Sequence, residues 1–567
     1  MKHFAWKKKI AWLAVFMGIA VLVLVPGKAV VQEEGPPHAV APQFPVEKGD
    51  PKIEYALYMF QKIFYAEGLE KAKEYAKNFQ MDLEENRIRV VVETDASMAA
   101  DQAKALVYVI MDHIRALGGK VETHYNDLVQ SQIPYTGLQE LAANPLVKHI
   151  RLPLKPTLLA VTSEGVNLTG ANLWQSLYPY RNTSDKPKVC ILDAGFKNYA
   201  GLLGTELPSS VITRSFRADG DISANQVHGT ACAEVIFDMM PNAQFYLVNF
   251  STDVEQHVAV DWLISEDVDV VSFSIGYWNA GDGAGTGPIC EDVKRATNNG
   301  IVWVGAAGNE AQSHWTGTFS DPDNNLYHNF IPADAILDFY APALTPVAFF
   351  LNWDDWGSWN GTKYSGSNQD YDLSLYFWWG GVWNFVTSSL NWQNGTQWPV
   401  EFTGFWMANV AGYWGVAIRK YNATRNCKME LFTYGNSSAC EYNVPEGSLT
   451  IPADSTDCLT VGAIDAVADT YHSYSSQGPT HDGRIKPDFC APSGVSVSSS
   501  TYGARATRGF YGTSAATPHM AGGIVLIKGT TPYSLSQVRT ILEKRAIDMG
   551  AIGKDNKYGI GRLNLKK

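Results

Sequence analysis

After Asp185 the sequence repeats one pattern: a short apolar run, a polar or glycine-rich turn, and then a helical stretch. Strands that are apolar throughout need cover on both faces, and strands that alternate with helices pair in parallel. The pattern therefore predicts an α/β fold with a doubly wound, mostly parallel sheet. Its predicted strands are KVCILDAG, AQFYLVNF, DVDVVSFSIG, GIVWVGAAGN, DCLTVGAID and KPDFCAPSG. In such sheets ligands bind at the carboxyl ends of the strands.

A different pattern precedes this sheet. Residues 30–85 read as a Pro- and Val-rich linker followed by a helical segment at about 53–80. Residues 86–155 follow the order β-α-β-β-α-β, which is the order of a compact ferredoxin-like α+β unit. We therefore expect a separate small domain ahead of the parallel sheet.

The alternation of strands and helices stops over residues 316–447, and ten of the 17 tryptophans lie between residues 353 and 414. Alternating stretches such as YDLSLYFWW and GYWGVAIRKY are separated by Asn-Gly and Ser-rich turns, which is typical of an all-β sandwich. The aromatic residues suit either a sugar-binding face or a sandwich core, and core packing is the more common use. The parallel sheet is expected in two pieces, 160–315 and 448–567, around this insert.

Composition and the N-terminus favour an exported protein. Lys and Arg number 45 against 57 Asp and Glu, a net charge of -12, which does not suit nucleic acid because phosphate binding needs a basic face. Residues 1–29 combine a lysine cluster, an apolar run and small residues, which predicts a cleaved signal peptide or, alternatively, an uncleaved membrane anchor. We expect a secreted, extracellular or cell-surface protein.

The seven cysteines include no Cys-x-x-Cys pair, so the sequence does not favour a zinc site. Cys427 and Cys440 flank a predicted turn and are candidates for one disulfide. Four others lie in apolar strand or helix contexts and read as small core residues.

Three polar residues stand at the ends of predicted α/β elements. Asp193 closes a strand, His228 opens the helical stretch HGTACAEVIFDMM, and Ser514 opens the helix ATPHMAGGIVLI. A serine hydroxyl needs a general base to become a nucleophile, and that base needs a carboxylate to fix its tautomer. Each residue alone also fits a structural role, as a helix cap, a turn residue or a buried histidine. The three together predict a catalytic triad. His519, farther along the same helix, reads as a helix-surface residue.

Acyl transfer by serine also needs donors for the oxyanion that develops in the transition state. Asn309 in WVGAAGNEA follows a buried strand and offers a side-chain amide. The backbone N–H of Ser514, at a helix N-terminus, offers a second donor with a favourable dipole. Asn309 is therefore the candidate for the oxyanion hole.

The segments DAGF at Asp193, HGTACAE at His228, SFSIG, AAGN at Asn309, YSSQGP and GTSAATPHMAG at Ser514 resemble the sequence blocks of subtilisin-like serine proteases, in that family's order Asp, His, Ser. The resemblance implies that Asp193 orients the base, His228 acts as general base and then acid, Ser514 is the nucleophile, and Asn309 binds the oxyanion. It assigns substrate binding to Ser274, Ile275, Gly276, Ala306, Ala307 and Gly308.

Some features depart from the family pattern. Ala194 follows Asp193 where Ser or Thr is usual, and the bulky Tyr277 follows the SIG segment and is expected to narrow the cleft. The insert is similar to the sandwich of pre-peptidase C-terminal type that some relatives carry, here internal rather than terminal. Relatives also bind calcium, and DPDNN at 321–325 is a candidate loop for that structural ion, with a plain turn as the alternative. No metal is expected at the catalytic residues, and no cofactor is required.

The ferredoxin-like unit is similar to the family's propeptide, which assists folding and inhibits the enzyme by laying its C-terminal strand in the cleft until it is cut. The resemblance thus implies a zymogen with its own propeptide as an intramolecular inhibitor, and a cleavage site within 153–175. The expected function is that of a secreted serine endopeptidase acting on protein or peptide substrates. The alternatives are a catalytically silent binding or surface protein on the same fold, and an exopeptidase with the same triad.

Overall fold

The computed structural model of the chain describes residues 48–94, 100–155, 157–158, 164–181, 186–498 and 508–566. The predicted signal segment at 1–29 lies outside the described residues. In the part that is described, no helix combines the length and the apolar character that a membrane span requires.

Residues 48–155, called here the N-terminal region, combine helices with an antiparallel sheet. Their elements are α1 Tyr55–Glu67, α2 Leu69–Asn78, β1 Leu83–Glu84, β2 Arg87–Thr94, α3 Ala100–Ala116, β3 Lys120–Tyr125, β4 Leu128–Pro134, α4 Leu138–Ala142 and β5 Val147–Arg151. The strand order is β1-β2-β4-β3, and β5 also pairs with β2. Leu57 and Phe60 of α1 are buried in one core with Val90 of β2 and Ile110 of α3, so the predicted helical segment packs on this sheet.

A connecting stretch leads into the first half of the parallel sheet. It contains β6 Thr157–Leu158, α5 Val166–Thr169 and α6 Ala171–Leu177. The first half of the sheet and its helices then follow as β7 Lys188–Asp193, β8 Ile212–Ser215, α7 His228–Met239, β9 Gln244–Asn249, α8 Asp253–Ser265, β10 Val270–Phe273, β11 Ile275–Gly276, α9 Pro288–Asn298 and β12 Val302–Ala306.

Residues 314–434, called here the inserted sandwich, form two antiparallel sheets that pack face to face. The strands are β13 His314–Thr318, β14 Leu337–Ala341, β15 Thr345–Trp353, β16 Asp370–Trp379, β17 Val382–Ser389, β18 Val400–Phe402, β19 Trp406–Ala408, β20 Gly412–Asn422 and β21 Lys428–Tyr434. One sheet has the order β13-β21-β15-β18 with β19 on β15, and the other β14-β20-β16-β17. Trp315, Trp353 and Trp414 are buried in the core between them.

The chain then completes the parallel sheet with β22 Cys458–Asp465, β23 Phe489–Ser493, α10 Thr513–Thr530 and α11 Leu535–Arg545. The seven strands lie in the order β23-β22-β12-β10-β7-β9-β8, and every neighbouring pair is parallel. This confirms the predicted α/β fold. Residues 186–313 and 448–566 are called here the parallel-sheet domain.

Helices cover both faces of this sheet, as the apolar strands require. Alternate residues of β7 enter two cores, because side chains of a strand point to opposite faces in turn. Val189 and Ile191 pack with α7 and α10, whereas Cys190 and Leu192 pack with α8 and α9. The sheet is therefore doubly wound, with its core in two layers.

Helix α10 is central, and every residue from Thr513 to Ile527 is buried. The expectation that His519 lies on a helix surface is wrong, because α10 has no solvent face at that turn. His519 is fully buried, its Nδ1 lies 2.7 Å from the carbonyl of Ala515, and burial lowers its pKa to about 4. All seven cysteines are buried free thiols, so the structure contains no Cys427–Cys440 disulfide.

Candidate active site

Asp193 and His228 meet where a strand ends and a helix begins. Asp193 is the last residue of the central strand β7, and His228 is the first residue of α7. Nδ1 of His228 lies 2.9 and 2.8 Å from the two carboxylate oxygens of Asp193. Both side chains are buried, and Oδ1 of Asp193 also accepts the N–H of Ala194 at 2.8 Å. Since Nδ1 faces the carboxylate, Nε2 is the ring nitrogen that can exchange a proton with a third group.

Ser514 stands in the first turn of α10, which follows Gly512. A helical carbonyl normally accepts the N–H of the residue four positions on, but that residue is Pro518, which has no N–H. Other groups fill the place: Oγ of Ser274 donates to the Ser514 carbonyl at 3.0 Å, and the thiol of Cys232 lies 3.7 Å from it. Because Pro518 donates no hydrogen bond to it, the Ser514 carbonyl instead contacts Ser274 at the end of β10 and Cys232 of α7.

Cys232 links the serine to the Asp–His pair. Its Sγ belongs to a group in which the ligand atoms of Asp193, His228 and Cys232 all lie within 4.8 Å of one another. Since the same sulfur lies 3.7 Å from the Ser514 carbonyl, Cys232 connects the start of α10 with the Asp193–His228 pair. The hydroxyl of Ser514 donates to the carbonyl of Ser274 at 2.9 Å, so its proton is directed at that strand in this structure.

Asn309 is held at the start of the same helix. Its Oδ1 accepts the backbone N–H of Thr513 at 2.9 Å and the Thr513 hydroxyl at 3.2 Å. An N–H can only donate, so this contact fixes the oxygen side of the amide against the helix and turns the two donors of Nδ2 the other way. Thr513 Oγ1 also accepts the N–H of Gly308 at 3.2 Å. One threonine therefore positions both the amide and the loop that carries it.

The predicted substrate-binding residues line two neighbouring chain segments. Ser274, Ile275 and Gly276 follow β10, while Ala306 ends β12 and is followed by Ala307 and Gly308, and these last three residues are buried. The backbone of β11 pairs antiparallel with the chain's own β6, in the register Ile275↔Leu158 and Gly276↔Thr157. A peptide segment therefore already lies along the predicted substrate strand.

Tyr277 follows this strand, and it was expected to narrow the cleft. The residue is buried, and its hydroxyl donates to Oε1 of Gln256 at 2.8 Å. That hydrogen bond directs the hydroxyl end of the side chain into the core rather than across the cleft.

A cavity of about 980 Å³ opens next to β11 and joins three parts of the chain. Ala194, Phe250 and Trp278 line it from the parallel-sheet domain, Lys155 from the N-terminal region, and Trp398 from the inserted sandwich. Sequence reasoning did not find this cavity, because its walls come from segments that are far apart in the chain.

Sequence reasoning also missed the anchoring role of Thr513, the position of Cys232 beside Asp193 and His228, and Glu310. Glu310 follows Asn309 and is buried, its N–H donates to Oγ of Ser476 at 2.9 Å, and burial raises the pKa of its carboxyl to about 8. Their only sequence signal was position, because Cys232 and Thr513 lie inside the quoted segments HGTACAE and GTSAATPHMAG and Glu310 follows AAGN.

Two groups of polar side chains bear on metal binding. Asp193, His228 and Cys232 are, among the described residues, the group whose ligand atoms converge, but burial raises the pKa of the Cys232 thiol well above its usual range and so keeps it a poor ligand. In the 321–325 loop, the carboxylate of Asp321 accepts the N–H groups of Asn325 and Leu326 at 3.0 Å each. These contacts are those of a turn, and calcium binding there stays a prediction.

Comparison with known proteins identifies the family to which this chain belongs. The model of the Subtilase family matches residues 184–338 and 404–561, which is more than half of the chain. The chain belongs to the subtilase family. The matched ranges contain Asp193, His228, Asn309 and Ser514, the four residues whose contacts are described above.

This subtilase is 34% identical over 146 residues to Subtilisin Savinase of Lederbergia lenta, a match that covers 26% of this chain and 47% of that protein. It is 25% identical over 227 residues to Subtilisin E of Bacillus subtilis, covering 37% of this chain and 57% of that protein. The chain thus spans about half the length of the curated relatives it matches. The solved structure of the Clostridium perfringens CspB protease is similar at 15% identity with a TM-score of 0.47, over 70% of this chain and 97% of that one.

Proposed function

We propose that this subtilase is a secreted serine endopeptidase that hydrolyses peptide bonds through an acyl-enzyme. The observation that carries the proposal is the His228–Asp193 contact, which Cys232 links to the helix start that bears Ser514. Membership of the family and the anchored amide of Asn309 support the same function. A catalytically silent protein would have no need to keep all four groups in these positions.

The proposed reaction gives each of the four polar groups one role. Ser514 Oγ turns from the Ser274 carbonyl, passes its proton to Nε2 of His228, and attacks the substrate carbonyl carbon. Asp193 stabilises the imidazolium through Nδ1. The oxyanion forms toward Nδ2 of Asn309 and the N–H of Ser514. His228 then protonates the leaving amine, the C–N bond breaks, and a water molecule activated by His228 hydrolyses the ester. None of these steps requires a cofactor.

We assign the N-terminal region the role of an intramolecular inhibitor that is removed by cleavage. The pairing of Thr157–Leu158 with Ile275–Gly276 supports this, because a chain in the cleft excludes substrate. The same pairing favours an endopeptidase over an exopeptidase: polypeptide continues on both sides of the paired segment, as it does in an internal stretch of a substrate. We place the cut within 153–175.

A fluorophosphonate probe tests the mechanism, because it reacts covalently with an activated serine. We expect labelling of the processed wild-type protein and none of Ser514→Ala or His228→Ala. Ser274→Ala is the matched control, since it removes a nearby serine hydroxyl and leaves the nucleophile, so labelling should be slower but should still occur. Labelling that persists in Ser514→Ala would overturn the assignment, as would a folded, processed wild type that is not labelled. N-terminal sequencing of the processed protein locates the cut.

A further inference from the structure

The side chain of Lys48 is fully buried against the inserted sandwich, far along the chain from its own segment. Its Nζ lies 2.7 Å from Oδ1 of Asp370, 2.7 Å from Oδ1 of Asp372, and 2.6 Å from the carbonyl of Asn391. An ammonium group has three donors, and here three oxygens take them. The site therefore satisfies a lysine completely.

The shape of the site is made by the sandwich alone. Asp370 and Asp372 lie two positions apart on β16 and so share one face of that strand. Glu401 is fully buried behind them and accepts the N–H and the side-chain amide of Asn391 at 2.9 and 3.0 Å, which orients the Asn391 carbonyl. We call Asp370, Asp372, Asn391 and Glu401, with the two rings described next, the ammonium cage.

Two aromatic rings complete the cage. Nζ of Lys48 lies 4.5 Å from the ring centroid of Tyr421 and 5.6 Å from that of Trp392. Ring faces attract a cation within about 6 Å. Three oxygens on one side and two ring faces on the other suit a compact primary ammonium, whereas the flat five-donor fork of arginine would leave donors unpaired.

We propose that the ammonium cage is a receptor for a lysyl side chain, and that through Lys48 it retains the N-terminal region on the enzyme after the connecting chain is cut. The receptor itself is inferred from the geometry alone. The retention step rests on the proposed function, because it concerns a chain that has been processed.

Contacts around Lys48 extend the same interface. Nε1 of Trp392 donates to the carbonyl of Lys48 at 3.1 Å, and Nε2 of Gln397 donates to the carbonyl of Pro51 at 2.7 Å. The ring of Phe79, at the end of α2, packs edge-on against Phe402 with centroids 5.8 Å apart. The inserted sandwich thus holds the N-terminal region at both ends of its helical segment.

The parallel-sheet domain holds the N-terminal region at a second place. Nη2 of Arg151 lies 2.7 Å from Oδ2 of Asp253, at the N-terminus of α8, and both side chains are buried. Oγ1 of Thr252 donates to Oε1 of Gln130 at 2.7 Å. With two separate anchors, loss of either one alone leaves the other in place, so cutting the connecting chain does not by itself release the N-terminal region.

The charges of the cage make lysine binding depend on pH. Burial raises the pKa of Asp370 to about 6 and of Glu401 to about 8, and it also raises the pKa of Asp372, even with Lys48 bound. Among the described residues, Arg419 is a second cation near the cage, with Nη1 3.9 Å from Oδ2 of Asp372. Without an ammonium the carboxyls repel one another more and hold protons more tightly, so lysine binding releases protons. Retention should weaken as the pH falls through about 6.

Chemical rescue tests the receptor in the full chain. In a Ser514→Ala background, which cannot process itself, Lys48→Ala removes the ammonium and its stem. We expect n-butylammonium chloride to raise the melting temperature of this variant saturably, with no such effect of n-butanol. Adding Asp372→Asn should abolish the rescue. Lys52→Ala is the matched control, because Lys52 lies in the same segment but donates to the carbonyl of Asn144 within the N-terminal region. If n-butylammonium chloride raised the melting temperature of Lys48→Ala and Lys52→Ala equally, the receptor assignment would be overturned.

A second experiment tests retention without using the proposed activity. A recognition sequence for an added site-specific protease replaces residues 159–163 in the Ser514→Ala chain, and gel filtration after the cut measures how much of the N-terminal region stays bound. We expect co-elution, and a rise of roughly tenfold or more in the dissociation constant for Lys48→Met, because the buried carboxylates lose their cation. Lys52→Met should bind as the unsubstituted chain does. Retention would be overturned by an unchanged dissociation constant for Lys48→Met, or by complete release of the N-terminal region from the chain that keeps Lys48. Both outcomes are independent of whether the chain is a protease.

Discussion

The hydroxyls of Ser514 and Ser274 each donate to the backbone carbonyl of the other residue, at 2.9 and 3.0 Å. Because Pro518 gives the Ser514 carbonyl no helical partner, Ser274→Ala leaves this buried oxygen with only the weak thiol donor of Cys232. We expect the free energy of unfolding to fall by about 1–3 kcal/mol and the rate of fluorophosphonate labelling to fall several-fold. Denaturant titration and labelling kinetics measure the two effects.

The double variant Ser274→Ala with Cys232→Ala removes both donors to that carbonyl. Residues that share a partner are not additive, so the loss of stability should exceed the sum of the two single losses. A simple sum would show that the Ser514 carbonyl does not depend on these side chains.

Substitution of Asn309 tests the oxyanion donor. We expect Asn309→Ala to lower kcat roughly 10²- to 10³-fold with little change in KM, a magnitude known for this kind of donor from subtilisin, a member of the same family. Thr513→Val keeps Asn309 but removes the hydroxyl that positions it, and should give a smaller loss in kcat with the same KM. Peptide hydrolysis kinetics separate the two. A loss confined to KM would contradict an oxyanion role.

Gly308 has a backbone angle that favours glycine. Its φ is +111°, and a Cβ there would lie 2.7 Å from Oγ of Ser476. We expect Gly308→Ala to lower the free energy of unfolding by about 2 kcal/mol or more and to reduce kcat, because the strained loop carries Asn309. Adding Ser476→Ala relieves the steric contact but leaves the backbone strain and removes the acceptor of the Glu310 N–H, so it should not restore the stability.

The α/β core and the Asp193–His228 contact followed from the sequence because both depend on local rules. Short apolar strands that alternate with helices predict a parallel sheet with helices on both faces. Residues that end a strand and residues that begin the next helix then lie at the same edge of the sheet, at the carboxyl ends of the strands. His519 was misplaced by the same kind of rule. A helix-period pattern does not distinguish a surface helix from one surrounded by other elements, as α10 is.

Contacts between distant segments carried no sequence signal. Lys48 was assigned to the end of a linker, yet it is buried against Asp370 and Asp372, more than three hundred residues away. This contact forms only when the N-terminal region packs against the inserted sandwich. That packing depends on the shape of whole surfaces, and the residues near Lys48 in the sequence do not indicate it. The same holds for the cavity beside β11.

A buried carboxylate joins the inserted sandwich to the parallel-sheet domain and makes their contact sensitive to pH. Oε1 of Glu430 lies 3.2 Å from Nε2 of His314 and 3.1 Å from Nε2 of His481. Nδ1 of His481 also lies 2.7 Å from the carbonyl of Asp282, so both of its ring nitrogens face acceptors. The Glu430 carboxylate raises the pKa of His481 to about 9. Burial opposes ionisation of Glu430, but the two histidines hold its pKa below the usual range.

The sign of each shift fixes the pH window of stability. A raised histidine pKa stabilises the fold fully below about 6.5, and this stabilisation is lost as the pH rises through about 9. A lowered carboxyl pKa stabilises above about 4.5, and this is lost in acid. Both shifts describe one interaction, worth about 0.2–1 kcal/mol because His481 is partly exposed and water screens its charge. We expect the free energy of unfolding of the Ser514→Ala chain to be highest between these limits and to fall by that amount from pH 6.5 to pH 9.

Glu430→Gln isolates this interaction from all other titrating groups. Without the carboxylate, the pKa of His481 should return toward its ordinary value, and the alkaline loss of stability between pH 6.5 and 9 should largely disappear. Glu446→Gln is the control, because that side chain is exposed in a nearby loop and should leave the profile unchanged. Urea titrations across the pH range measure the effect. If Glu430→Gln kept the full alkaline decline, the decline would come from other groups, and the Glu430–His481 contact would not be what makes this interface sensitive to pH.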